Sequence, residues 1–196
     1  MIISYKHQFI FVKSRKTAGS SIEHYLSSYL GPDDVLIGSD LDHTPSLNPV
    51  CKSRHKDWQW IKQRYPEEFE KFFVFSVVRN PWDVMVSAYF YLRDCGRITR
   101  FDSFDEWIIN GNIHSLDNWS LFADDNKPIV DQVFLYENLA KQISNSVLPY
   151  NGELDTVKKK SGYRPSLDYK SFYNETAKQR VADICEKTIQ YFDYSF

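Results

Sequence analysis

Residues 14–21 (SRKTAGSS) combine the residue types that bind a phosphate at the start of a helix. Lys16 brings a positive charge, and Gly19 lets the backbone approach a ligand closely. The N–H groups of a first helical turn lack backbone partners, and the helix dipole adds positive charge there. An anion therefore binds well at such a terminus. Hydroxyl donors are available from Thr17, Ser20 and Ser21.

This stretch is not a Walker A sequence, in which a lysine follows the second glycine and a Ser or Thr holds Mg²⁺. Here Lys16 precedes Gly19, the only glycine of the stretch. The alternative to an anion site is a tight turn whose serines only cap the next helix. Ser20 and Glu23 have the spacing of such a capping box, and we expect this role for Glu23.

A second candidate site follows the next predicted strand. Arg79 stands at the carboxyl end of that strand, where ligands bind in open α/β sheets, and its planar guanidinium suits phosphate. Asn80, Asp83 and Ser87 share one face of the helix that follows. Arg79 and Ser87 could thus meet on one phosphate group, although a surface arginine and a packed serine are the alternative. Together the two features predict a ligand with two separated phosphates.

The predicted elements alternate between strands and helices. Strands are predicted from short apolar runs, and helices from apolar spacing and cap signals. The strands span residues 8–13, 71–78 and 130–136. The helices span residues 22–30, 56–65, 81–92, 103–109, 137–148 and 175–192. This order predicts an α/β fold with a central parallel β-sheet flanked by helices on both faces.

The composition is that of an ordinary globular protein, with 196 residues, 42% of them hydrophobic and 26% charged. The length predicts one domain over residues 1–196. A formal net charge of −2 argues against nucleic acid as a partner. Widely spaced cysteines, three in number, predict neither a disulfide framework nor a zinc site. Without a secretory signal or an apolar run of membrane-spanning length, we expect a cytoplasmic protein.

Residues 15–23 (RKTAGSSIE) and 77–91 (VVRNPWDVMVSAYFY) resemble the two phosphate-binding motifs of the sulfotransferases that use 3′-phosphoadenosine 5′-phosphosulfate (PAPS). Residues 134–139 and 191–196 resemble the C-terminal half of that family, and the carbohydrate-type branch with its bacterial members is the most similar. The resemblance implies a P-loop kinase-like architecture. It also implies metal-free transfer of a sulfuryl group from PAPS to a hydroxyl or amine, with a carbohydrate as the expected acceptor and 3′-phosphoadenosine 5′-phosphate (PAP) as the other product.

The same resemblance implies roles for the residues of both motifs. Lys16 neutralises the charge that develops on the leaving phosphate, and the loop with its following helix holds the 5′-phosphate. Arg79 and Ser87 hold the 3′-phosphate, and a late basic loop with Lys160 and Arg164 closes over it, unless that loop is a solvated run of charges. The expected donor-binding residues are Arg15, Lys16, Thr17, Ala18, Gly19, Ser20, Ser21, Arg79, Ser87, Lys160 and Arg164.

The acceptor needs a general base, and histidine is the usual choice because its pKa lies near neutrality. His55, in SRHKDW, is the first candidate, since related sequences carry a histidine in a similar place ahead of the second strand. His43 and Glu23 are the alternatives. Trp82 is a candidate neighbour of the adenine. Four further tryptophans either stack on a sugar acceptor or belong to the core: Trp58, Trp60, Trp107 and Trp119.

Two other functions stay open on the sequence alone. A nucleotide kinase would use the same kind of sheet, although the G-K-[ST] sequence of a Walker A loop is missing. A nucleotide-binding module without catalysis is the other alternative, because the residue pattern does not fix the base.

Overall fold

A computed structural model describes residues 1–37, 55–152, 154, 163–166 and 168–196 of the chain. The chain divides into two compact units, each built from two stretches. The first, here called the sheet unit, comprises Met1–Val78 and Ser120–Lys159. The second, here called the helical unit, comprises Arg79–Trp119 and Lys160–Phe196. The expectation of one domain over residues 1–196 stays a prediction.

Within the described residues, five strands form one sheet. They are β1 (Ile2–Ser4), β2 (Phe9–Val12), β3 (Val35–Leu36), β4 (Phe73–Val78) and β5 (Gln132–Leu135). Their order in the sheet is β3-β1-β2-β4-β5. Neighbours pair in parallel from β2 through β4 to β5, whereas β1 pairs antiparallel with both β2 and β3. The three predicted strands are therefore the parallel part of the sheet, and the α/β prediction is confirmed. The sequence analysis missed β1 and β3, which are too short to show a periodic pattern.

Aromatic side chains build the core on one face of this sheet. The rings of Phe11 on β2 and Phe75 on β4 stack with their centroids 5.0 Å apart. Helix α1 (Gly19–Ser27) packs onto these rings with Ile22, Tyr25 and Leu26, all of which are buried. Because these three residues recur at helical spacing, they form the apolar stripe of α1 that faces the sheet. That packing fixes the start of α1 at the end of β2.

The remaining helices of the sheet unit are shorter than predicted. Helix α2 (Trp58–Arg64) begins after Asp57, whose side chain accepts from the N–H of Trp60 at 2.8 Å. Pro66 does not merely end this helix but starts α3 (Pro66–Lys71), since the first helical position tolerates proline. The helix predicted over residues 137–148 is a 3₁₀ turn, Tyr136–Asn138, followed by α7 (Leu139–Ser144).

Most other helices belong to the helical unit. Helix α4 (Pro81–Asp94) begins as predicted at Asn80, whose Oδ1 accepts from the N–H of Trp82 at 3.1 Å. Helix α5 (Phe104–Asn110) has the predicted cap at Ser103. The long C-terminal helix that we predicted is divided into α8 (Glu175–Ile184) and α9 (Glu186–Phe192). The short α6 (Trp119–Phe122) lies where the chain passes between the two units. No helix in the described ranges is long and apolar enough to cross a membrane.

Candidate active site

The loop between β2 and α1 has a backbone conformation suited to anions. Lys16 and Ala18 have positive φ values of 60° and 63°. Thr17, which lies between them, and Gly19, which follows, have negative φ values. Such alternation turns successive N–H groups toward one concave side, which is the geometry of an anion-binding nest. Ala18 is the N-cap of α1 and supplies no side-chain cap. The conformation of the loop supports a phosphate site here, which stays a prediction.

The side chain of Lys13, which the sequence analysis did not consider, packs beneath this loop against Gly19. Its side chain is only 5% exposed, and its Nζ lies 2.5 Å from Oε2 of Glu23. The other carboxylate oxygen of Glu23 accepts from the amino group of Met1 at 2.7 Å. Two predictions for Glu23 are therefore wrong. It does not form a capping box with Ser20, and its buried, fully engaged carboxylate is not placed to act as a base.

Gly19 lies against the side chain of Lys13. A Cβ atom at this position would lie 2.7 Å from Cγ and 2.9 Å from Cε of Lys13. The space over Gly19 is thus filled by the lysine side chain on its way to Glu23. The absence of a side chain at Gly19 admits Lys13, rather than a ligand, on this side of the backbone.

The hydroxyl groups around the loop fasten it to the sheet. Thr17 is fully buried, and its Oγ1 donates to the carbonyl oxygen of Ser14 at 3.3 Å. The Oγ atoms of Ser14 and Ser76, on β4, are 2.8 Å apart. The hydroxyl of Thr17, expected to be a ligand donor, therefore serves the loop itself. The half-buried residues of the loop are Arg15, Lys16, Ala18 and Ser20, whereas Ser21 is buried.

His55 contacts the first residue after β2. Its Nδ1 lies 2.9 Å from the carbonyl oxygen of Lys13. Because a carbonyl oxygen can only accept, Nδ1 carries the proton and Nε2 keeps its lone pair. Burial lowers the pKa of His55 to about 4, and the nearby charges of Arg15 and Lys13 also lower it. The imidazole is thus neutral at neutral pH, with Nε2 as its basic atom.

In the helical unit, one carboxylate joins the two arginines predicted to hold the 3′-phosphate. Oδ2 of Asp83 accepts from Nε and Nη2 of Arg79 at 2.8 and 2.6 Å. Oδ1 of the same carboxylate accepts from Nη1 of Arg164. Arg79 and Arg164 are thus brought together as predicted, although Asp83 was not recognised as the residue between them.

Ser87 lies one turn beyond Asp83 on α4, and Tyr91 lies one turn further. The ring of Tyr91 meets that of Tyr163 edge to face, with centroids 5.6 Å apart. Tyr163 and Arg164 therefore attach to α4 on either side of Ser87, along one face of the helix. Arg79 and Ser87 belong to the first stretch of the helical unit, and Arg164 belongs to the second. Lys160 and His43 lie outside the described residues.

Most of the tryptophans considered for ligand stacking are core residues. Trp82 is buried, its Nε1 donates to the carbonyl oxygen of Lys178 at 3.0 Å, and its ring meets Phe196. Trp82 thus packs inside the helical unit and does not line an adenine site. Trp107 and Trp119 are also buried. Only Trp58 and Trp60 among the four sugar candidates are half-buried.

The chain combines an α/β sheet with a loop of nest geometry after its second strand. The family comparison is more specific, because the profile described as "Sulfotransferase family" matches residues 1–195. The chain therefore belongs to the sulfotransferase family, whose sulfuryl donor is PAPS. The predictions of a PAPS-dependent sulfotransferase and of its fold are confirmed.

A solved structure agrees with this fold. The chain is similar to mouse sulfotransferase SULT7A1, crystallised in complex with PAP, with a TM-score of 0.57 and 12% sequence identity. The similarity covers 97% of this chain and 87% of the mouse protein. A comparison with curated protein sequences gave no match. At this identity the mouse structure supports the fold alone.

Proposed function

We propose that this chain transfers the sulfuryl group of PAPS to a hydroxyl or amine of an acceptor, with Lys16 and His55 as the catalytic residues. One observation carries the proposal. The neutral imidazole of His55 is oriented by its Nδ1, which lies 2.9 Å from the carbonyl oxygen of Lys13. Lys13 directly precedes the loop that contains Lys16. A neutral imidazole with a defined tautomer beside this loop, in a member of the sulfotransferase family, supports the role of His55 as the base.

The reaction needs one proton acceptor and one cation. Nε2 of His55 takes the proton of the acceptor hydroxyl while the hydroxyl oxygen forms its bond to sulfur. The bond between sulfur and the bridging phosphate oxygen breaks, and its electron pair stays on the departing PAP. The ammonium of Lys16 neutralises that oxygen. A preorganised donor at a developing charge contributes about 3–4 kcal/mol to lowering the barrier.

The donor is proposed to bind through both predicted groups of residues. The nest and Lys16 hold the 5′-phosphosulfate, assisted by Arg15, and their alternating φ values support this role. Arg79, Ser87 and Arg164 hold the 3′-phosphate, and the convergence of both arginines on Asp83 supports that role. The PAP bound to the mouse structural relative is consistent with the same donor. The proposed donor-binding residues also include Lys160 and, through their backbone N–H groups, Thr17, Ala18, Gly19, Ser20 and Ser21.

A carbohydrate is the proposed acceptor. Trp58 and Trp60 begin helix α2, three and five positions after His55, and both rings are half-buried. Nζ of Lys56 lies 4.7 Å from the centroid of the Trp60 ring. Two partly accessible tryptophan rings so close in sequence to the proposed base support an acceptor with an apolar ring face, such as a sugar.

The test measures release of PAP from PAPS with a panel of sugars, amino sugars, phenols and simple alcohols. We expect the highest rates with the carbohydrates. His55→Gln should lower kcat by about 10²–10⁴-fold and Lys16→Ala by about 10²–10³-fold, because each removes a group used in the transition state. PAP should still bind to His55→Gln with nearly wild-type affinity.

The matched control is His7→Gln. His7 is also half-buried, and its Nε2 also faces a backbone carbonyl, that of Tyr29 at 3.0 Å. Its loss should leave kcat within about twofold of the wild-type value, since surface substitutions away from a site have small effects. PAP binding without turnover on the whole panel would favour the non-catalytic module. Equal activity of His55→Gln and His7→Gln would remove His55 as the base.

A further inference from the structure

Asp83 receives two arginines from distant parts of the sequence. Arg79 precedes it by one helical turn, whereas Arg164 follows it by 81 residues. Each arginine occupies a different oxygen of the carboxylate. The side chains of Arg79, Asp83 and Arg164 are 8%, 13% and 17% exposed, so the three charges are largely shielded from water.

The balance of charge in this cluster favours an added anion. Two guanidinium groups at low exposure repel each other, and the carboxylate of Asp83 carries one negative charge against their two positive charges. A phosphate would add negative charge beside the two guanidinium groups. Asp83 is also the third residue of α4, where the positive end of the helix dipole stabilises a carboxylate.

The carboxylate also determines where Arg164 lies. Two contacts attach residues 163 and 164 to α4: the ion pair of Arg164 with Asp83, and the contact between the rings of Tyr163 and Tyr91. Ser87 stands between these attachments on the same helical face. Without the charge at position 83, Arg164 would lose the attachment that holds it one turn from Ser87.

We propose that Asp83 is the positioning residue for the 3′-phosphate of the donor. It does not contact the nucleotide. It holds the guanidinium groups of Arg79 and Arg164 beside Ser87, and it thereby supplies the preference for a nucleotide that carries a 3′-phosphate. This inference rests on the proposed function, in which those three residues bind that phosphate.

The test compares the affinities for PAP and for 5′-AMP, which lacks the 3′-phosphate, by calorimetric titration. The variants are Asp83→Asn, Arg164→Ala and the double variant, with Arg79→Ala as a reference. Asp94→Asn, an exposed acid at the end of the same helix, is the matched control. Thermal melts without ligand show whether each variant is folded.

We expect Asp83→Asn to weaken PAP binding about tenfold, the effect of one charge-assisted hydrogen bond, and to change 5′-AMP binding by less than twofold. Arg164→Ala should weaken PAP binding by a similar factor in the wild type but by less than twofold in Asp83→Asn, because the arginine is then no longer held. Asp94→Asn should bind both nucleotides as the wild type does.

The inference is overturned if Asp83→Asn binds PAP as tightly as the wild type or more tightly, or if PAP and 5′-AMP lose affinity equally. The proposed function nevertheless stands if the wild type prefers PAP to 5′-AMP and the Arg79→Ala variant does not. A wild type without preference for PAP overturns both. Should Asp83→Asn fail to fold, Asp83→Glu keeps the charge but moves it by one methylene. The Asp83→Glu variant should bind PAP several-fold more weakly than the wild type and bind 5′-AMP with unchanged affinity. Wild-type affinity for PAP would again overturn the inference.

Discussion

A single proton at Nδ1 determines what His55 can do. The carbonyl of Lys13 accepts that proton, so the ring is held in one tautomer and Nε2 is the only basic atom. Burial keeps the ring neutral over the physiological range. At neutral pH the lone pair of Nε2 is therefore available to accept a proton. This distinguishes His55 from Glu23, whose carboxylate is committed to Lys13.

The pH dependence of the reaction follows from this environment. The pKa of His55 is lowered from 6.5 to about 4, so the basic form is populated above about pH 4. We therefore expect kcat/KM to be level between about pH 5 and 7.5 and to fall only as the pH drops through about 4. Initial rates measured from pH 3.5 to 8 give the position of this acidic limb.

Stability must be separated from catalysis in that experiment. Below about pH 6.5 the unfolded chain binds a proton at His55 that the folded chain does not bind. The free energy of unfolding therefore falls as the pH drops from about 6.5 to 4, which is the expected direction for a histidine whose pKa is lowered on folding. Protein held at low pH and returned to pH 7 before assay controls for unfolding. A reversible limb near pH 6.5 would contradict the neutral, buried base.

At the scale of elements, the turn between β2 and α1 combines backbone strain with close packing. Left-handed conformations at Lys16 and Ala18 cost roughly 1 kcal/mol or more each, because both residues carry a Cβ. Packing of α1 against the aromatic face of the sheet and the buried pair of Lys13 with Glu23 hold the turn in this form. Strain retained in this way is typical of a binding loop.

Gly19→Ala tests this packing. A methyl group would overlap Lys13, with Cγ only 2.7 Å away, and would force that side chain off Glu23. Overpacking of this kind costs about 1–3 kcal/mol, whereas alanine in place of glycine within a helix returns about 0.5–1 kcal/mol. We expect a net loss of about 1–2 kcal/mol in the free energy of unfolding, measured by urea denaturation.

Gly31→Ala is the matched control. A Cβ at Gly31 would have its nearest neighbour, Cδ of Lys6, at 3.4 Å, which is an ordinary contact. The free energy of unfolding should change by less than about 0.5 kcal/mol. Equal effects of the two substitutions would mean that Lys13 moves aside without cost and that Gly19 is not required for packing.

The elements that the sequence predicted correctly depend on local signals. Asn80 before a proline and Ser103 before Glu106 carry their cap chemistry within four residues, and both cap the expected helices. The strands of the parallel sheet follow from unbroken apolar runs. Pro66 follows the end of α2 and begins α3. Because proline is common both after a helix and at the first position of one, the sequence alone does not distinguish the two, and the neighbouring packing decides.

The interactions that the sequence did not predict are those between distant residues. Glu23 has the spacing of a capping box, yet a buried lysine ten positions earlier is the stronger partner. The ion pair of Asp83 with Arg164 spans 81 residues, so no local pattern indicates it. Trp82 lies within the phosphate motif, but its indole completes the core of the helical unit. In each case tertiary packing, rather than local sequence, determines the partner of the side chain.

For the whole molecule, anion binding depends on where the cations lie rather than on their number. The chain has 24 Lys and Arg residues against 26 Asp and Glu residues, so its net charge does not attract polyanions. In the proposed donor site the cations are Lys16 in the loop and the two arginines that bind Asp83. A ligand with a phosphate at the 3′ position should therefore be selected by position, and not by its total charge.

Thermal melts of the full chain test this selection. A ligand that binds only the native state at about 100 times its Kd adds about 2.7 kcal/mol, which raises the Tm of a chain of this size by roughly 5–10 °C. PAP should produce this shift with or without Mg²⁺. ADP carries a similar charge but no 3′-phosphate, and it should produce a much smaller shift, as should 5′-AMP. Arg79→Ala should remove the advantage of PAP. An equal shift with ADP, or one that requires Mg²⁺, would show that total charge or a metal-bound nucleotide governs binding, and the arginines on Asp83 would then lose their role as a selective phosphate site.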